Sequence, residues 1–159
     1  MNTIRVLLVS MMLAVLSGCN HVPVADTPPA ELVISQSWSG DYPVAELKRL
    51  PAGQQQSGVG YLGNAAAFES VWTAFKPDEA VPVVDFGKQV VVFHRNVDFY
   101  NRTRIFKVRL KDGVADVLAM ETMSAIPITD KVAMAMAVIP RASVKSLRSG
   151  PASIPVRSE

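Results

Sequence analysis

Val132 to Ile139 is the stretch that most limits what this chain can become. Val132, Met134, Met136 and Val138 alternate there with Ala133, Ala135, Ala137 and Ile139, and no polar side chain interrupts them. As a helix these eight residues would have no polar face, and Pro140 ends the run. In a strand, successive side chains point to opposite faces, so both faces are apolar and one of them is mostly small. The pattern predicts an inner strand that a covering layer approaches closely. A methionine-rich surface also serves adaptable binding, but the two-sided pattern is that of a buried strand.

A second run points the same way. Gln89 to Phe93 contains Val90-Val91-Val92-Phe93 without a break, which reads as another strand buried on both faces, closed by His94 and Arg95. Between them, Thr103 to Leu110 and Val114 to Met120 flank Asp112-Gly113. That dipeptide is a strong hairpin signal, because a type I′ turn needs positive φ at both central positions. A two-residue turn pairs Lys111 with Val114, and the register then sets Arg109 against Asp116, Val108 against Val117, Phe106 against Ala119 and Arg104 against Glu121. Residues 95–111 hold six Lys or Arg against one Asp. The hairpin explains them without an anion site: Arg104 and Arg109 gain carboxylate partners, while Lys107 and Lys111 share Arg109's outer face and discourage edge pairing.

Asn64 is placed to cap a helix in which Phe68, Val71, Trp72 and Phe75 recur at three- and four-residue steps until Pro77. This is an amphipathic helix over about 64–75, and its aromatic stripe fits core packing better than a ligand pocket. Leu32 to Trp38 alternates as a first strand entering a turn at Ser39-Gly40-Asp41. Tyr42 to Leu50 and Gly58 to Leu62 are shorter strand candidates, and Arg141 to Leu147 a short helix. The fold class that results is α+β: a mainly antiparallel sheet with one helix packed on it, in a single small domain over 31–148. Residues 149–159 read as a flexible tail.

The chain has 159 residues, one domain's worth. Sixteen Lys and Arg against fourteen Asp and Glu leave +2, which does not argue for a nucleic-acid partner. One Cys and two His exclude an intramolecular disulfide and a Cys/His structural zinc site. The N-terminus is unlike the rest. Arg5 precedes Val6 to Leu16, apolar except for Ser10, in the charged-then-greasy layout of a secretory signal. Eleven helical residues reach only roughly 16 Å, about half of a ~30 Å hydrocarbon core, so this is an export signal and not a span.

At its end stands Leu16-Ser17-Gly18-Cys19. This resembles the lipobox of bacterial lipoproteins. The resemblance implies a signal peptide over 1–18, recognised by its peptidase through Leu16, Ser17 and Gly18, and a diacylglyceryl group on the Cys19 thiol, with the new amine acylated as well. Several acyl chains hold a protein far more firmly than one. Asn20 stands where an aspartate would favour inner-membrane retention in enteric lipoproteins, so the resemblance implies the outer membrane, facing the periplasm. Residues 19–30 then form a lipidated, proline-containing tether, in which His21 is a solvated linker residue.

Chemistry is harder to find. His94 is the one histidine of the folded region, no G-x-S-x-G surrounds a serine, and Gly58-Val59-Gly60 with Gly63 lacks the rest of a nucleotide fingerprint. His94 reads as a hydrogen-bonded structural residue. Asp85 and Asp98 are the acids to inspect for a hidden carboxylate pair. No catalytic residue, metal ligand or cofactor is assigned. Asp98, Phe99, Tyr100 and Arg102, at the end of a buried strand, have the composition of a binding hot spot.

From Phe68 to Leu147 the order of elements resembles the C-terminal domain of PrcB-type subunits, lipoproteins of a bacterial surface protease complex. The matching pieces are the helix with Trp72, Val84-Asp85-Phe86, the strand Gln89 to Phe93, the hairpin, and a last strand ending Ile139-Pro140-Arg141. Asn101-Arg102-Thr103 stands where that family opens the hairpin with a glycine-rich stretch, so no site is carried over. The resemblance implies a non-catalytic accessory domain that binds a protein or peptide, such as an envelope protease or secreted enzyme. The alternative is a periplasmic small-molecule or lipid carrier, which needs an apolar cavity lined by the sheet and by Trp72 or Phe75.

Overall fold

The computed structural model describes residues 28–96, 102–122 and 129–157. The lipobox, Cys19, His21, most of the tether, and Asp98, Phe99 and Tyr100 lie outside them.

The two apolar runs pair at the centre. Strand β4 (Gln89–Arg95) and strand β7 (Lys131–Pro140) are antiparallel neighbours, with Val91 opposite Val138 and Phe93 opposite Met136. Strand β2 (Gln36–Pro43) adds to the far side of β7, and strand β3 (Val59–Leu62) to the far side of β4. Each central strand serves two cores. Val90, Val92, Ala135, Ala137 and Ile139 face one, and Val91, Phe93, Met134, Met136 and Val138 face the other. Both must be covered, because apolar area left in water costs about 25 cal/mol per Å². The chain therefore folds into three layers.

Helix α1 (Ala65–Phe75) and a 3-10 segment over Val44–Arg49 cover the methionine side. Asn64 Oδ1 accepts the Ala67 N–H at 2.9 Å and starts the helix. Phe68, Val71, Trp72 and Phe75 are buried. Trp72 lies 5.1 Å from Trp38, 5.6 Å from Phe68 and 6.0 Å from Phe75 between ring centres, and its Nε1–H donates to Glu79 O at 3.0 Å. Tyr42 is fully buried against the 3-10 segment, its hydroxyl donating to Glu46 O at 2.9 Å, and burial pushes its phenol up to about 12.

A second sheet covers the alanine side. Its order is β1 (Ala30–Leu32), β5 (Arg102–Lys111), β6 (Val114–Thr122), β8 (Ser146–Ser149) and β9 (Ala152–Pro155). Every pairing described is antiparallel except β6 with β8. The small side chains of Ala135 and Ala137 let Val108, Ala115, Val117 and Leu147 approach from this sheet.

The hairpin turns as its sequence requires, with Asp112 at φ 52° and Gly113 at φ 84°. Lys111 opposes Val114, Arg109 opposes Asp116 and Val108 opposes Val117. Beyond that point the expected register fails. Lys107 opposes Leu118, but Ile105 opposes Ala119, Arg104 opposes Met120 and Thr103 opposes Glu121. Phe106 is the extra residue of a β-bulge, so neither the Phe106–Ala119 pair nor the Arg104–Glu121 pair forms. The cause lies in the side chains. A strict period of two in phase with Val108 would turn Arg104 into the core, whereas the bulge buries Thr103, Ile105 and Val108 and leaves Arg104 and Phe106 outside.

Other expectations change too. Ser39-Gly40-Asp41 is not a turn but the middle of β2, and Tyr42 to Leu50 leaves the sheet at Pro43 to become the 3-10 segment. Leu32 to Trp38 is split, because the chain crosses from the second sheet to the central one at Val33 to Ser35. Arg141 to Leu147 is no helix: a turn with Ser143 at φ 66° leads into β8. The supposed tail holds β9, whose Ile154 pairs with Leu147 and packs on the core with Val156.

Gly60 marks the closest approach within the central sheet. A Cβ there would stand 2.1 Å from the Phe93 ring and 2.4 Å from Gln54 Oε1. Gly60→Ala should therefore lower unfolding stability by about 1–3 kcal/mol through overpacking. Urea denaturation measures it, and an unchanged midpoint would contradict this packing.

Candidate functional site

One end of the sandwich is polar. β4 finishes there at Arg95, β6 at Thr122 and β8 at Ser149, while β5 starts at Arg102 and β7 at Lys131. His94 follows Val90 and Val92 on the face that meets the second sheet. Its Nε2 lies 2.8 Å from Glu121 Oε1, and its Nδ1 lies 3.1 Å from Ser149 Oγ. Asn96 Nδ2 donates to Glu121 Oε2 at 3.3 Å, and the Asn96 N–H donates to Ala133 O at 3.1 Å. Three strands from two sheets are thus tied through one imidazole.

A serine, a histidine and a carboxylate are also the residue types of a nucleophile, a base and an orienting acid. Such a site needs room for a reacting carbonyl beside the serine as well. Ser149, His94 and Glu121 line none of four open grooves on the surface of the described residues. The three side chains form a clasp between the sheets.

Beside the clasp a groove of about 320 Å³ opens between the two sheets, lined by Ser39, Gly40 and Asp41 of β2, Arg102 and Thr103 of β5, and Ala133 of β7. Asp41 Oδ2 holds Lys131 Nζ at 2.6 Å. Thr103 is only 3% exposed, and among the described residues its Oγ1 has no hydrogen-bond partner. A buried hydroxyl left unpaired costs about 1–3 kcal/mol. Arg102, the one described member of the expected hot spot, is exposed on this groove.

The remaining acids and cations have local duties. Asp85 Oδ1 accepts the Gly87 N–H at 3.1 Å and Oδ2 lies 3.6 Å from Lys88 Nζ, so it shapes a turn and faces no second carboxylate in these contacts. Arg109 stands opposite Asp116 in register, but Arg148 of β8 takes that carboxylate, with Nη2 2.7 Å from Oδ2. This hydrogen-bonded pair holds the Asp116 carboxyl below its usual range. Arg95 is buried, its Nη2 donates to Gln55 O, its Nε has no partner among the described residues, and desolvation lowers its pKa. Among the described residues no three His, Cys, Asp or Glu side chains gather into a metal-ligating group, and no helix is long and apolar enough to cross a membrane.

The largest of the four grooves, about 580 Å³, lies on the opposite edge between Arg49, Tyr61, Gly63, Pro155 and Arg157. Sequence reasoning missed both it and the clasp. Their residues come from strands far apart in the chain, and no local spacing announces them.

Removing the imidazole leaves the inward-turned Glu121 and Ser149 without their shared partner. His94→Ala should cost about 1–3 kcal/mol of unfolding stability, read from chemical denaturation, and an unaltered midpoint would show that the clasp holds nothing. No family model matches the chain, and neither the curated proteins nor the solved structures contain a match to it.

Proposed function

We propose that this is an exported lipoprotein, lipidated at Cys19 and held at the outer membrane facing the periplasm. Its folded part acts as a non-catalytic accessory module that docks an envelope protein, such as a protease or secreted enzyme. Leu16-Ser17-Gly18-Cys19 supports the anchor, and the likeness of residues 68–147 to PrcB-type subunits supports the accessory role. The observation that carries the docking reading is the groove at Arg102, where an exposed cation, two further polar side chains and a buried hydroxyl without a partner meet between the sheets. Arg is enriched at binding hot spots because its planar fork makes several directed hydrogen bonds at once.

The carrier reading asks for apolar space under the sheet at Trp72 or Phe75. Rings occupy that space: Trp38, Phe68, Trp72, Phe75 and Phe86 pack at centre distances of 5.1–6.0 Å. None of the four grooves touches Trp72 or Phe75. Phe68, Val71, Trp72 and Phe75 of α1 are spent on the core.

A photo-reactive residue at position 102, in the lipidated protein in living cells, tests the proposal, with exposed Lys88 as the control position. The expected result is one envelope protein joined at 102 and not at 88, in membranes that lose the module when Cys19→Ala blocks acylation. Equal products at both positions would overturn the docking reading, and an unmodified Cys19 peptide by mass would overturn the anchor.

A further inference from the structure

β5 is paired unevenly. β6 accompanies it along its length, but on its other side β1 reaches only Val108 to Leu110. The chain leaves the second sheet at Leu32 and enters the central one at Gln36, so the β1 line stops there. From Arg102 to Lys107 the outer edge of β5 has no strand neighbour among the described residues. Backbone N–H and C=O groups on such an edge are a template for another strand.

The β3 and β9 edges are partly closed. Gln54 Oε1 accepts the Tyr61 N–H of β3 at 2.7 Å, Ser57 Oγ accepts the Val59 N–H at 3.3 Å, and Pro155 removes a donor from β9. The β5 edge instead runs between two grooves. One, of about 280 Å³, lies where β1 ends, among Glu31 to Ile34, Phe106 and Lys107; the other is the groove at Arg102 and Thr103, with β2 as its second wall. Phe106 is 49% exposed and Val33 73%, a greasy seat beside the first groove.

The charge along this edge is one-sided. Arg102 and Arg104 are both exposed and two residues apart, hence on one face of the strand. Among the described residues the carboxylates nearby are engaged elsewhere: Glu121 with His94 and Asn96, Asp41 with Lys131, and Glu31 with Lys107 at 2.9 Å. Charge alone would protect an edge, but protection does not require a buried, unpartnered Thr103 Oγ1 at the same place.

We infer that the β5 edge from Arg102 to Phe106 accepts an extended acidic segment of a partner protein as an added strand. Main-chain hydrogen bonds hold the segment. Carboxylates two residues apart pair with Arg102 and Arg104, and an apolar side chain rests on Phe106 beside Val33. This deepens the docking reading and rests on it.

The test uses the mature full chain and a synthetic strand peptide whose one face carries Glu, Glu and Val in turn, with Thr at the intervening positions, followed by fluorescence anisotropy and backbone amide exchange. Binding should slow exchange at Thr103 and Ile105, and should weaken by at least about tenfold in the Arg102→Glu, Arg104→Glu double variant. An N-methylated copy of the peptide, which keeps its charge and loses its donors, should bind as weakly. Equal binding of the methylated peptide would overturn strand addition, and so would failure of the parent peptide to bind. If the peptide fails while position 102 still captures an envelope protein, the added strand is wrong and docking stands; if both fail, docking falls with it.

Discussion

The two-sided burial of β7 is the constraint from which the other layers follow. Met134, Met136 and Val138 on one face and Ala135, Ala137 and Ile139 on the other must each lose water. A single covering helix would satisfy only the first face. The second sheet exists to cover the alanines, and it closes down because those side chains are small. The polar end arises where this arrangement runs out: past Val92, the next residue of β4 to face the second sheet is His94, and the gap between the sheets fills with hydrogen bonds in place of methyl groups.

The bulge at Phe106 decides what that end presents. With one extra residue in β5, Glu121 stands opposite Thr103 and turns to the imidazole, while Arg104 stands opposite Met120. Had the hairpin kept a period of two, Arg104 and Glu121 would have neutralised each other and His94 would have lost its acid. One backbone irregularity thus supplies the clasp between the sheets and leaves cations on the open β5 edge.

The central strands were plain in the sequence, because Val90 to Phe93 and Val132 to Ile139 have no polar face to hide. Asp112-Gly113 set the turn and the first half of the register, since positive φ is a local requirement. The bulge was less legible: its only trace is the phase break between Ile105 and Val108. β9 was missed because Ile154 and Val156 are too short an alternation to stand out in a segment with prolines at 151 and 155. The 3-10 segment after Pro43 was missed because Tyr42 and Leu50 are both buried, one from a strand and one beyond a turn. Of the candidate site, Arg102 was found from composition, while Ser39, Asp41 and Thr103 were not. They converge only when β2 and β5, from different sheets, are brought side by side.

The clasp and the arginines on the open edge both depend on the register of the hairpin. Cross-strand nuclear Overhauser effects between backbone protons of β5 and β6 measure it most directly. The expected contacts place Thr103 opposite Glu121 and Arg104 opposite Met120, with Phe106 unpaired. Contacts placing Arg104 opposite Glu121 and Phe106 opposite Ala119 would contradict that register and the origin it assigns to both features.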